Sequence, residues 1–251
     1  MEIIHPEILL ANSAIHTATL ETNIPNFLAK AEEAKNNDIG SIEIDCSVTR
    51  DKIIAITHNF ILARLFKYQY YEEKNIPTLD SLIKVLLDST NCNLVLDFKC
   101  IPKSYLYSDE FSKKLDILND SKRVQIITLQ PSIINRISNG SYPNIKTGII
   151  MNVLTRGYIN EYKIPNLSKT DAFYLSKEYW NPQTLEKIDK YINQVWGKDK
   201  DRIKKIAWTW SRRIEDEKTL ENFIELGADG IVTGKPELLN SIVYQKKYKS
   251  V

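Results

Sequence analysis

Short apolar runs recur along the chain, separated by longer stretches in which apolar residues return at helical spacing. The runs are Ile8–Ile15, Ser41–Val48, Leu94–Phe98, Val124–Leu129, Thr147–Met151, Ala172–Leu175, Ile203–Trp210 and Gly230–Thr233, eight in all. Between them lie amphipathic segments such as Ile24–Ala34, Thr78–Leu87, Pro131–Ile137, Pro182–Tyr191 and Glu217–Leu226. Strands alternating with helices predict a parallel sheet with crossover helices. Eight such units favour a closed (β/α)8 TIM barrel over an open doubly wound sheet.

One further run, Ile53–Thr57, follows Ser41–Val48 after only Thr49-Arg50-Asp51-Lys52. No parallel crossover fits in so short a link, so this run is expected to return as a β-hairpin after strand 2. With Arg50-Asp51 as a two-residue turn, Glu43 lies opposite His58, and Asp45 shares their face. Local geometry alone therefore predicts a Glu/Asp/His cluster. Two carboxylates on one face of an inner strand repel each other and lose solvation unless a cation sits between them.

The length of 251 residues suits one barrel, and no linker or low-complexity tract divides it, so residues 1–251 are read as a single domain. The formal net charge of +2 argues against nucleic acid as a partner. The lysine-rich Gln245–Ser250 reads as a solvated tail. Cys46 falls in an apolar run and reads as a core thiol; Cys92 and Cys100 flank another run, and a bridge between them stays open. No leader pattern and no apolar stretch of ~20 residues is present, which leads to the expectation of a cytoplasmic protein without membrane insertion. No Gly-rich nucleotide loop occurs. Oligomeric state is not readable.

The order of several short motifs resembles the glycerophosphodiester phosphodiesterase family. Ile15-His16 ends the first strand, Glu43-Ile44-Asp45 lies on the second, and Thr57-His58 follows the hairpin, with 27 residues from His16 to Glu43 and 15 from Glu43 to His58. Ile76-Pro77-Thr78-Leu79, Asp97-Phe98-Lys99, Ala207-Trp208-Thr209-Trp210 and Leu226-Gly227-Ala228-Asp229-Gly230 resemble later family segments. The resemblance implies a phosphoric diester hydrolase acting on a small-molecule phosphodiester. Glu43, Asp45 and Asp97 would ligate one divalent metal, Mg²⁺ or Ca²⁺, through hard oxygen atoms. His16 and His58 would serve as general acid and base. Lys99 would contact the phosphate or the metal-bound carboxylates. Trp208 and Trp210, alternating onto one face, are candidates for lining the substrate pocket, as are Tyr174, Tyr179 and Trp180; core packing is an equal account of each.

The chain departs from the family at Thr17, where the family has a phosphate-holding Arg, and in Ala18–Asn23, where a Gly-rich turn is missing. Arg50, Arg156 and Arg212 are candidate replacements. Two other readings follow. One is a sphingomyelinase D-like phospholipase releasing a cyclic phosphate, which shares the barrel, the Glu-x-Asp pair and both histidines. The other is a barrel that binds a ligand without catalysis.

Overall fold

The computed structural model describes residues 6–17, 23–151, 170–208 and 216–249. Among these, eight parallel strands close on one another: β1 (Ala14–His16), β2 (Ser41–Val48), β4 (Asn93–Phe98), β5 (Val124–Thr128), β6 (Lys146–Met151), β7 (Ala172–Ser176), β8 (Lys204–Trp208) and β9 (Gly230–Thr233). Closure is made by β1, which pairs with β9 on one side and β2 on the other. This is the TIM barrel that the eight apolar runs predict. A ninth strand, β3 (Ile54–Ile56), is bonded antiparallel to the outer side of β2.

Alternation along each strand sorts side chains into two cores. The inward set is small and includes Ala14, Val95, Ile127, Ile150, Tyr174, Ile206, Trp208 and Val232. The outward set is larger, with Ile42, Ile44, Leu94, Leu96, Phe98, Ile126 and Phe173 packed against the surrounding helices. Those helices include α2 (Ile24–Asn36), α5 (Leu79–Ser89), α7 (Asp109–Ser121), α8 (Pro131–Ser138), α9 (Pro182–Trp196), α10 (Glu217–Glu225) and α11 (Pro236–Lys249), in the numbering used below. Their starts follow local chemistry. Asn23, Thr78, Ser108, Asn181 and Asp216 each accept a backbone N–H of the first turn. The lysine-rich C-terminal segment is not a free tail, because α11 runs through it and Lys246 pairs with Glu225.

The run Ile8–Ile15 is not one strand. It divides into helix α1 (Pro6–Ala11) and β1, because Leu9 and Leu10 are buried beneath the barrel rather than alternating along a sheet. Ser13 ties the junction together, donating to the Leu9 carbonyl and accepting from the Ile231 amide. The backbone here lies so close to the strand starts that a Cβ on Gly40 would stand 2.1 Å from the Ala11 carbonyl oxygen. Glycine is required at that position by contact rather than by its φ angle.

The hairpin forms in a different register from the expected one. Cys46 faces Ile56, Ser47 faces Ala55 and Val48 faces Ile54. The loop has three residues, since Thr49 donates its amide to Ile53 and Lys52 takes a left-handed φ of 68°. The Thr49 hydroxyl accepts from the Ile53 amide and contacts Asp51, which holds the longer turn. Continued beyond Ile56, this register would place His58 opposite Ile44, not Glu43. Two short helices follow, α3 (Phe60–Leu65) and α4 (Gln69–Glu72), packed over a small cluster of Ala55, Ala63, Tyr71 and Ile76. All three cysteines are free, with Cys92 and Cys100 at opposite ends of β4.

Candidate active site

The first three barrel strands in spatial order, β1, β2 and β4, bring the polar groups together. Barrel closure aligns His16 with Glu43, and the next ladder aligns Asp45 with Asp97. In a parallel pair, aligned residues share a face, so four side chains from three strands converge on the inner C-terminal end of the barrel. Glu43 and Asp97 are fully buried, and Asp45 and His16 nearly so. One oxygen from each carboxylate lies within 4.8 Å of the others.

Each carboxylate has one oxygen paired with His16 or Lys99 and one bare; the Asp45 pairing is an ion pair, with neither of its oxygens meeting hydrogen-bond geometry. Glu43 Oε2 is 2.5 Å from His16 Nδ1. Lys99 Nζ lies 2.6 Å from Asp45 Oδ1 and also bonds Asp97 Oδ2. Glu43 Oε1, Asp45 Oδ2 and Asp97 Oδ1 are buried without a hydrogen-bond partner. Lys99 and a protonated His16 answer two of the three negative charges. Buried carboxylate oxygens left bare in this way are strongly unfavourable in a dry interior. Three hard oxygens converging from neighbouring strands match what a divalent cation takes as ligands. The donor set therefore fits such an ion.

The electrostatics push the two histidines apart. Burial lowers the pKa of His16, but Glu43, its hydrogen bond and Asp45 together outweigh burial, so the net shift is upward. His58 moves down, through desolvation and the Lys99 charge, against the opposing pull of Asp45 and Glu43. Burial tends to lower the Lys99 pKa; Asp97, Asp45 and Glu43 reverse this and hold the ammonium charged. Burial, reinforced by Asp45 and Glu43, raises the Asp97 carboxyl against the pull of Lys99.

His58 reaches this field by a route other than cross-strand pairing. β3 ends at Ile56, the chain bends at His58, and α3 begins two residues later. His58 is exposed at the rim, whereas His16 is buried below it. Thr17, which stands where the resembled family has Arg, is buried and bonds the Glu43 carbonyl, so it fastens β1 to β2. Arg50 sits exposed in the hairpin loop; Arg156 and Arg212 lie outside the described residues.

Trp208 is buried on the inner face, with Lys99 Nζ 5.5 Å from its ring centroid. Trp210 lies outside the described residues. Tyr174 also points inward, donating to Gln125. Tyr179 and Trp180 do not line the mouth. They pack in the outer core, with Trp180 donating to the Leu175 carbonyl and contacting Phe223. Ser176 was not singled out from sequence. It ends β7 on the inward register beside Trp208, fully buried, with its hydroxyl unpartnered. A polar residue closing the apolar run Ala172–Leu175 was the available signal.

The sequence matches no protein-family model, and no curated protein matches it. The fold does match solved structures. One is a glycerophosphodiester phosphodiesterase from Parabacteroides distasonis, with a TM-score of 0.65 and 16% identity over 94% of this chain and 98% of that one. Another, from Thermotoga maritima, has a TM-score of 0.62 and 14% identity over 92% and 97%. A phosphodiesterase from Oleispira antarctica, solved in complex with the product sn-glycerol-3-phosphate, has a TM-score of 0.60 and 16% identity over 92% and 96%. The shared element is the fold, along nearly the full length of each chain.

Lys99 is the fixed positive charge between Asp45 and Asp97, so its removal leaves two buried carboxylates uncompensated. Lys99→Met is expected to lower stability by about 3–5 kcal/mol in chelator-containing buffer at neutral pH. Urea unfolding measures this, and an unchanged midpoint would mean the two carboxylates do not depend on Lys99.

Proposed function

We propose that this chain is a metal-dependent phosphodiesterase that cleaves a glycerophosphodiester-type small molecule to a phosphomonoester and an alcohol. The observation that carries this reading is the bare oxygen on each of Glu43, Asp45 and Asp97, buried at the mouth of a barrel shared with solved glycerophosphodiester phosphodiesterases. The product bound in the Oleispira antarctica structure supports a ligand of this size and charge.

In this reading Glu43, Asp45 and Asp97 hold one divalent cation, Mg²⁺ or Ca²⁺. When bound, the cation neutralises phosphodiester charge and polarises its oxygens. His58, with its lowered pKa, is neutral at pH 7 and takes a proton from the attacking water, whose oxygen bonds phosphorus as the alcohol leaves. His16, whose pKa shifts upward, delivers a proton to the leaving oxygen. Glu43 holds the His16 ring by its Nδ1, leaving Nε2 to face substrate. Lys99 adds positive charge beside the phosphate, and Trp208 walls the alcohol group.

Phosphorus NMR tests the reaction directly. Glycerophosphodiesters and lysophospholipids incubated with the protein and Mg²⁺ or Ca²⁺ should give a new phosphomonoester resonance that EDTA abolishes. A cyclic-phosphate resonance would favour the sphingomyelinase D-like course, and no resonance under any metal would favour a binding-only barrel. His16→Ala and His58→Ala should each reduce turnover by about a hundredfold or more with circular dichroism unchanged. Retained turnover in either variant removes that residue from the acid–base pair.

The metal assignment is checked by calorimetric titration of the chelator-stripped protein. Asp45→Ala should lose most of the affinity of the wild type, and equal affinities would rule out these ligands.

The pH dependence follows from the base. His58 must be unprotonated, and its pKa lies below the usual 6.5. Activity should therefore be present at neutral pH and fall only as pH drops through that lowered value. A kcat/KM profile whose acid limb lies above 6.5 would contradict the assignment of His58 as base.

A further inference from the structure

The surface beside the mouth carries an apolar patch that the proposed chemistry does not use. Phe60, Ile61, Leu65 and Phe66 are all exposed, the middle two at 60% each. Among the described residues they are four of the seven large hydrophobic side chains that remain exposed, and they fall within seven consecutive positions. The other three, Ile8, Tyr107 and Ile117, are scattered singly, as is ordinary. A concentrated patch is different and marks a surface that meets something apolar.

The patch is presented by a firm support. Ala63, on the opposite side of α3, is buried against Ala55, Tyr71 and Ile76. Phe66 stacks on Tyr70 with ring centroids 4.4 Å apart. The hairpin loop is stitched to the same segment, the Arg50 amide donating to the Phe66 carbonyl and the Tyr68 amide to Asp51 Oδ1. The apolar side chains thus have an inward-facing neighbour that packs, and they themselves face outward.

Positive charge predominates along the segment that carries the patch, with Asp51, Glu72 and Glu73 at its margins. Arg64 and Lys67 lie within or next to it and are exposed, and the hairpin contact brings Arg50 and Lys52 alongside. From Lys52 to Tyr71 the chain contains no Asp or Glu. The nearby Asp51 accepts the Thr49 hydroxyl and the Tyr68 amide on Oδ1 and is outnumbered by Arg50, Lys52, Arg64 and Lys67. Apolar side chains ringed by Lys and Arg match the interface of a bilayer containing anionic lipid. A helix of two turns is a small footprint for a stable protein dimer, which needs roughly 800 Å² from each partner. No helix among the described residues is long and apolar enough to cross a membrane, so the mode would be interfacial.

We propose that the segment from Phe60 to Lys67 docks this protein on the surface of an anionic lipid bilayer. His58 lies two residues before α3, so docking through this face holds the candidate active site at the headgroup layer. If the phosphodiesterase reading holds, on which this consequence rests, the substrate class includes lysophospholipids presented in a membrane.

Co-sedimentation of the full chain with vesicles tests the docking without reference to turnover. The wild type should pellet with vesicles of phosphatidylcholine and phosphatidylglycerol at three to one, and should be released as salt is raised. Ile61→Asp combined with Leu65→Asp should weaken vesicle binding by roughly tenfold or more. Leu65→Ser alone, at an exposed position, provides a milder variant whose fold circular dichroism can verify. Turnover of a soluble glycerophosphodiester should be the same in these variants as in wild type, while turnover of lysophospholipid in vesicles falls. Wild-type protein that stays in the supernatant overturns the proposal. A solution dimer that the double variant dissociates also overturns it, because the face would then belong to a second copy. Vesicle binding with no phosphodiesterase activity would leave the docking intact and defeat the catalytic reading.

Discussion

Three carboxylates buried within 4.8 Å of one another set the terms for this barrel mouth. Ionised groups so placed repel each other and lose hydration, and a dry interior returns neither loss. The surrounding architecture answers with positive charge brought from both sides. β1 delivers His16 to Glu43, and the residue just beyond β4 delivers Lys99 to Asp45 and Asp97. The compensation is incomplete, since one oxygen of each carboxylate remains bare. An arrangement meant only for packing would replace these groups with apolar ones, at no loss or even a gain in stability. The remaining deficit is what makes the cluster a candidate for binding a cation.

Closure of the barrel and assembly of the cluster are one event. The ladder that joins the first and second strands is the ladder that sets His16 opposite Glu43. Thr17 reinforces it by bonding the Glu43 carbonyl. The opposite end of the barrel is devoted to stability: α1 packs so tightly against the strand starts that Gly40 admits no side chain. Packing and chemistry are thus separated along the barrel axis, with the bare polar atoms at the ends of strands and the close-packed contacts at their beginnings.

The two histidines illustrate how one residue type acquires opposite tendencies from its surroundings. His16 is buried against a carboxylate and holds its proton more firmly than usual. His58, on a bend at the rim, loses hydration and feels the Lys99 charge, and holds its proton less firmly. Groups whose environments drive their pKa values apart are suited to giving and taking a proton in the same cycle. The bend that exposes His58 also begins the segment carrying the apolar, cationic surface, so the geometry of the rim links the candidate base to what the mouth faces.

Much of this was legible in the sequence because its physical basis is local. Strands β2 and β9 run from the first to the last residue of their apolar runs, and a helix begins at Ile24, Pro131, Pro182 and Glu217 as the patterns indicate. Hydrophobic alternation and capping act within a few residues and can be read there. The closeness of Glu43 and Asp45 was likewise readable from their spacing. The tertiary structure decided what depends on contact at a distance. It divided the Ile8–Ile15 run into helix and strand, because Leu9 and Leu10 had the barrel floor to fill. It lengthened the hairpin turn by one residue, which shifted the register and left His58 to reach the cluster by a bend. It sent Trp208 to the inner core by the register of β8, and Trp180, four residues beyond the end of β7, to the outer one. It also aligned Asp45 with Asp97 and His16 with Glu43. Those pairings come from strand neighbours joined only when the barrel closes, and no window of sequence contains that closure.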